Sequence, residues 1–248
     1  MRLHVLGSSG TFPAAGRPGS GYLVARDDTR VWVDAGPGTF LRLADLTDPV
    51  ELTAMVVTHV HADHCVDVFA LHHLLAYGPR RRSRPLPLFL PPGAAAHLSA
   101  FATDGERFAS VFDLREVGDG ERATAGACTL AFAAAEHSVP ALAVRVEAGT
   151  SSLFYSGDTG VGGTWSAAAA GVKLMLCEAT LQGEREPGGY PFHLTAAEAA
   201  GAARAAGARR LMLTHLPPTL DPARSLEEAE AVFGRPVELA VPGMEVNV

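Results

Sequence analysis

The 248-residue chain predicts an α/β fold, a four-layer αββα sandwich formed as one domain over residues 1–248. Three observations predict it. Short strand-like runs fall into two groups, one in the first half and one from the middle onward. Each group is flanked by segments with helical apolar spacing, so helices cover the outer faces of two sheets. Hydrophobic residues make up 48% of the chain, and at this length roughly 70% of the unfolded surface leaves water on folding, enough for several packed layers. No stretch reads as an interdomain linker or a short-period repeat.

Residues 3–6, 21–25, 30–34 and 54–58 are apolar runs bounded by turn residues and predict strands, the last of them buried. Residues 38–46 carry Phe40, Leu41, Leu43 and Leu46 near helical spacing, and residues 66–77 repeat apolar positions at Val68, Leu71, Leu74 and Leu75, which predicts two helices. A strand at 86–90 leads into a helix at 93–102. Strands follow at 111–117, 128–134, 141–147 and 152–156. The last third alternates: strand 174–177, helix 195–206, strand 210–214, helix 222–233, strand 237–241.

Composition narrows the function. No apolar run approaches a membrane span and the start lacks the apolar core of a signal peptide, so the expected location is cytoplasmic and no membrane partner is expected. A net charge of −7 gives no global positive field for duplex DNA or a whole tRNA. The three cysteines, Cys65, Cys128 and Cys177, are odd in number and lack CxxC spacing, which argues against a disulfide framework and for a reducing compartment. Ten histidines are the unusual count, because six of them fall in short polar segments that close apolar runs.

The strongest local signal is Thr58-His59-Val60-His61-Ala62-Asp63-His64, set between a buried strand and a helix. Alternate residues share a face, so His59 and His61 point one way, while Asp63 and His64 swing to a second centre. Imidazoles plus a hard carboxylate suit Zn²⁺ or Mn²⁺, whereas a merely His-rich surface turn needs no such spacing. His137, Asp158 and His215 each follow a predicted strand. One such residue alone is ordinary, but strand-end loops are where a sandwich converges distant side chains. His193 precedes Thr195 and Glu198, a Thr-x-x-Glu capping box that starts a helix whose free N–H groups would favour a phosphate.

With these residues the chain resembles the metallo-β-lactamase superfamily, whose ordered pattern HxHxDH, His, Asp, His is matched by His59, His61, Asp63, His64, His137, Asp158 and His215. The resemblance implies two divalent ions, Zn²⁺ first and Mn²⁺ second. His59, His61 and His137 would hold one, Asp63, His64 and His215 the other, with Asp158 bridging. β-Lactamases of this fold lack that bridging Asp, so antibiotic hydrolysis is not implied.

The segments Gly7-Ser8-Ser9-Gly10-Thr11, Asp34-Ala35-Gly36-Pro37-Gly38, Glu178-Ala179-Thr180 and His193-Leu194-Thr195 resemble the ribonuclease Z-like branch. There the Glu and the His assist phosphodiester cleavage, which implies catalytic roles for Glu178 and His193, while Asp63 would orient the nucleophile. Cys177 and Asp67 depart from that branch, standing where His and Gly are usual. Ribonuclease Z enzymes of ordinary length carry a tRNA-gripping arm between the third His motif and the Asp, yet only twenty residues separate His137 from Asp158. The resulting expectation is a phosphodiesterase acting on a small phosphodiester such as 3′,5′-cyclic AMP, similar to an arm-less actinobacterial group linked to that activity. The alternatives are a ribonuclease Z-type RNA 3′-processing nuclease, a glyoxalase II-like thioesterase, and a metal-binding module without catalysis. RNA is disfavoured as a partner, and a homodimer is left open.

Weaker features have plainer readings. The basic run at 80–84 reads as a solvated loop, with a phosphate-attracting lip beside the site as the alternative. His4, His72, His73 and His97 are assigned to packing or solvent. The Gly7–Gly10 loop lacks the P-loop Lys and is expected only to line the site's rim.

Overall fold

A computed structural model describes all of residues 1–248. The first sheet contains β1 (Arg2–Gly7), β2 (Gly21–Arg26), β3 (Thr29–Val33), β4 (Ala54–Val56), β5 (Leu86–Leu90), β6 (Phe112–Glu116) and, from the chain end, β14 (Glu245–Asn247), in the order β14-β1-β2-β3-β4-β5-β6. The second contains β7 (Arg122–Ala125), β8 (Cys128–Ala134), β9 (Leu142–Ala148), β10 (Ser151–Tyr155), β11 (Leu174–Glu178), β12 (Arg210–Thr214) and β13 (Glu238–Leu239), in sequence order across the sheet. Helices α1 (Thr39–Leu46), α2 (Ala62–Cys65), α3 (Val68–Tyr77), α4 (Ala94–Phe101) and α5 (Gly105–Val111) accompany the first sheet. Helices α6 (Trp165–Ala168), α7 (Ala196–Ala205) and α8 (Pro222–Phe233) cover the second. The predicted αββα sandwich is present.

Strand alternation builds its three apolar layers. In β1 Leu3 and Val5 face the space between the sheets and Leu6 faces the first helix layer; in β2 Tyr22 and Val24 face inward and Leu23 outward. In β11 Leu174 and Leu176 face inward while Met175 and Cys177 pack under α6–α8. Both faces of each sheet are buried, so these strands read as continuous apolar runs.

Several expectations are corrected. The strand predicted at 111–117 is present as β6, Phe112–Glu116; what the sequence reading lacks is α5, which starts where Asp104 accepts a hydrogen bond from the Arg107 amide and runs to Val111. Strands β7 and β14 and helix α6, each of three or four residues, have no counterpart in the sequence reading. Leu41 and Leu46 point to solvent, leaving Leu43 as the buried anchor of α1. Asp67 stands where the related pattern has Gly and fills a gap: α1 has only Gly38 at its N-cap, and the Asp67 carboxylate accepts the Phe40 amide at 2.8 Å. No helix is long and apolar enough to cross a membrane.

One edge of the sandwich collects the chemistry. β3, β4 and β5 run parallel in the first sheet, and β10, β11 and β12 in the second, with β8 aligned to them through antiparallel β9. The C-terminal ends of β4, β8, β10, β11 and β12 therefore open on one side, into loops carrying His59–His64, His137, Asp158, Glu178 and His215.

Candidate metal centre

The turn after β4 presents His59 and His61 on one face, as period-two geometry requires, and α2 carries Asp63 and His64 round to a neighbouring position. The ring nitrogens His59 Nε2 and His61 Nδ1 lie 3.0 Å apart, and His137 Nε2 lies 3.1 Å from the same His61 atom. A second group faces the first. His64 Nε2 is 3.0 Å from His215 Nε2, which is 3.2 Å from Asp63 Oδ2. Asp158 lies between the groups, with Oδ1 3.2 Å from His64 Nε2 and Oδ2 3.8 Å from His59 Nε2 and 3.5 Å from His215 Nε2. All seven residues expected as ligands converge.

The donor set fits two divalent cations. Four-coordinate zinc with bonds near 2.0–2.1 Å places its ligand atoms about 3.3 Å apart, close to the observed spacings. Asp158 Oδ1 is buried with no hydrogen-bond partner, an expensive arrangement for a carboxylate unless a cation meets it. Burial, reinforced by His64, holds His59 well below the usual histidine range, and burial lowers His61 and His137 as well. These three imidazoles are thus neutral at pH 7, the form that ligates metal.

Behind the ligands is a buried shell. Asp34 Oδ2 accepts from His64 Nδ1 at 2.7 Å, from the Thr58 hydroxyl at 2.8 Å and from the Tyr155 hydroxyl at 2.9 Å, and Oδ1 accepts from the Thr58 amide at 2.7 Å. Committing His64 Nδ1 to Asp34 leaves Nε2 aimed at the site. His137 Nδ1 donates to the Phe192 carbonyl at 3.1 Å, with the same effect. On the other side Thr180 Oγ1 lies 2.8 Å from His215 Nδ1 and 2.6 Å from Glu178 Oε2. Two glycines let the backbones close: a Cβ on Gly36 would sit 2.1 Å from the Asp63 carbonyl, and one on Gly10 2.2 Å from the His215 carbonyl. The Gly7–Gly10 loop accordingly abuts the His215 loop, as the rim expectation had it.

His193 stands beside Asp158, its Nδ1 2.9 Å from Glu178 Oε1 and 3.9 Å from Asp158 Oδ2. Burial works against its charged form, but the Glu178 hydrogen bond and the Glu178 and Asp158 carboxylates outweigh it and raise the imidazole above its ordinary value. Nε2 has no protein partner. The α7 capping box forms, with Thr195 accepting from the Glu198 amide at 3.1 Å and Glu198 accepting from the Thr195 amide at 2.8 Å. That box takes up the Thr195 and Glu198 amides, and the Glu198 carboxylate is paired with Arg185 at 2.7 Å. Arg185 also binds the His193 carbonyl at 2.5 Å, and the box serves to position His193.

The family comparison agrees with this geometry. Residues 29–216 match the model described as a beta-lactamase superfamily domain. The chain belongs to this superfamily. Among its members, an uncharacterized protein of Mycobacterium tuberculosis, Rv1339, is 33% identical over 248 residues, covering 97% of this chain and 90% of the relative. A ribonuclease Z of Mycobacterium sp. strain KMS is 30% identical, covering 96% and 93%. The crystal structure of the metallo-beta-lactamase fold protein YhfI from Bacillus subtilis superposes with a TM-score of 0.88 at 26% identity, over 99% of this chain and 98% of YhfI. Like YhfI, whose sequence bears the name probable metallo-hydrolase, the protein is a metal-dependent hydrolase.

Within this superfamily site, sequence reasoning left Asp34, Thr58, Tyr155 and Thr180 without roles. The signal for Asp34 was present, since an acidic residue closing a predicted strand just before Gly-Pro-Gly is an unusual choice unless its side chain is used. Cys177, noted as a departure, packs in the apolar layer under α6–α8 and does not face the ligands. The Asp34→Asn variant replaces an acceptor by a donor against four donors, and we expect affinity for the second metal to fall roughly 10–100-fold while the His59/His61/His137 group keeps its ion. Metal titration followed by elemental analysis checks this, and an unchanged two-ion stoichiometry at limiting metal would refute it.

Proposed function

We propose that this hydrolase is a dinuclear phosphodiesterase acting on a small phosphodiester, a 3′,5′-cyclic nucleotide such as cyclic AMP. The observation that carries the reading is the Glu178–His193 pair beside Asp158, with His193 Nε2 free of protein partners. Two bound ions, Zn²⁺ or Mn²⁺, supply charge neutralisation for a phosphoryl group and lower the pKa of water. Asp63, with an oxygen at the rim of the ligand set, orients the attacking water. Glu178 fixes His193 through Nδ1, and His193 delivers a proton from Nε2 to the departing alkoxide. A thioester releases a thiolate that needs no such acid, which sets the thioesterase alternative behind.

Substrate size is argued from the interval between His137 and Asp158. Paired strands β9 and β10, turning at Gly149 and Thr150, take up fourteen of its residues in support of the small-substrate reading. A net charge of −7 opposes approach of a long polyanion, whereas a cyclic mononucleotide brings a single negative charge. The 30% identity to a ribonuclease Z favours RNA 3′ processing as the second reading.

The test compares kcat/KM on cyclic AMP and on a 3′-extended tRNA, using one Mn²⁺- or Zn²⁺-loaded preparation at fixed salt. Cyclic AMP should be the better substrate. Trimming of the tRNA without cyclic AMP turnover would replace the proposal by the nuclease reading. Failure on both, with a generic diester still cleaved, would remove the cyclic nucleotide and keep the phosphodiesterase chemistry.

A further inference from the structure

The basic run does not border the metal centre. β4 and β5 are parallel, so the metal turn after β4 and the loop entering β5 lie at opposite edges of the sheet, about 16 Å apart for a five-residue strand. The lip reading of residues 80–84 is therefore corrected. At that far edge the loop, the end of α3 and the end of α5 enclose a cleft of about 390 Å³ lined by Arg81, Arg82, Arg84 and Arg107, with Ser83 and Ser110 and no carboxylate. A neighbouring cleft shares Arg82 and Arg84 and adds Arg115, whose charge is met by Asp113.

The arginines of the first cleft are held in place without a carboxylate ion pair. Arg80, just outside it, is taken up by Asp48 and Glu51. Arg81 uses one terminal nitrogen on the Leu75 and Ala76 carbonyls at the end of α3, and Arg82 one on the Val50 and Leu52 carbonyls. Each keeps its other terminal nitrogen free. Arg84 and Arg107 pair with no carboxylate, and Arg107 leans on the Tyr77 ring at 5.7 Å. Four like charges gathered in one cleft repel each other, and backbone anchoring has already fixed two of the forks. An anion with several oxygens relieves the repulsion and accepts paired N–H donors.

We propose that this cleft is a second ligand site, separate from the metal centre, for a small polyphosphate anion carrying a diphosphate group. The volume suits a nucleoside diphosphate as well as free pyrophosphate. A long nucleic acid is disfavoured by the overall charge of −7 and by the Asp48 and Glu51 carboxylates at the cleft's edge. α3 joins the two sites, since it starts just after His64 and its last turn supports Arg81.

Calorimetric titration of the metal-loaded enzyme with inorganic pyrophosphate and with ADP tests the proposal, with metal content measured before and after. Wild type should show a binding event that Arg84→Ala/Arg107→Ala weakens at least tenfold, while the variant keeps its melting temperature and its turnover of bis(p-nitrophenyl) phosphate. Equal affinity for the two probes assigns free diphosphate chemistry, and tighter ADP binding assigns a nucleotide; both support the site. Identical isotherms for wild type and variant would locate all anion binding elsewhere and overturn it. Loss of single-stranded RNA binding in the variant, with no pyrophosphate or ADP binding in wild type, would overturn it in favour of an RNA contact.

Discussion

Asp158→Ala should lose metal and activity together. The Asp158 carboxylate lies between the two ligand groups, its oxygens 3.2 Å from His64 Nε2, 3.5 Å from His215 Nε2 and 3.8 Å from His59 Nε2. With two cations bound, its removal would leave them without the negative charge between them in a buried site, a configuration in which loss of a partner costs about 3–5 kcal/mol. Such a penalty corresponds to a fall of roughly 10²–10³ or more in affinity for at least one ion. Wild type should carry two ions per chain after loading with Zn²⁺ or Mn²⁺ and the variant one or none, by elemental analysis, with phosphodiester turnover near background. Two tightly held ions in the variant would show that Asp158 is not shared. The fold should survive, because Asp158 belongs to none of the three apolar clusters.

Most of this centre was legible because its geometry is local or repetitive. Four ligands lie within six residues at the end of a buried strand, and each remaining one follows a strand that runs the same way. Asp34 and Thr180 were not legible, since they act on His64 and His215, 30 and 35 positions away, and only the folded register brings them together. The strand expected at 111–117 formed as β6, but helix α5 just before it was missed for a local reason: the Asp104 cap was overlooked. The capping box at Thr195 was read correctly, whereas its Arg185 partner, ten positions before it, was not legible in a one-dimensional reading. The place of the arginine loop was available in principle. A strand, a helix and a parallel strand return the chain to the edge opposite the first strand's end, which separates residues 80–84 from the metal turn.

His193→Ala separates chemistry from binding. Glu178 is fully buried and accepts from the Thr159 amide at 2.9 Å and the Thr180 amide at 3.1 Å as well as from His193, so its position does not depend on the imidazole. His193 lies outside the His59-His61-His137 and Asp63-His64-His215 groups; it shares a further cluster with Asp158 and His215, but its Nδ1 is taken by Glu178. The variant should therefore keep two ions. If Nε2 protonates the leaving group, kcat on cyclic AMP, which expels a ribose alkoxide, should fall by roughly 10²–10⁴. On bis(p-nitrophenyl) phosphate the fall should be much smaller, because p-nitrophenolate departs without a proton. Equal losses on both substrates, carried in KM, would instead make His193 a binder of the phosphoryl oxygens. Glu178→Gln then distinguishes proton delivery from packing: the amide keeps the shape but removes the charge that raises the His193 pKa, so the loss on cyclic AMP should grow toward high pH as the imidazolium is depleted, with turnover of the p-nitrophenyl diester changing little.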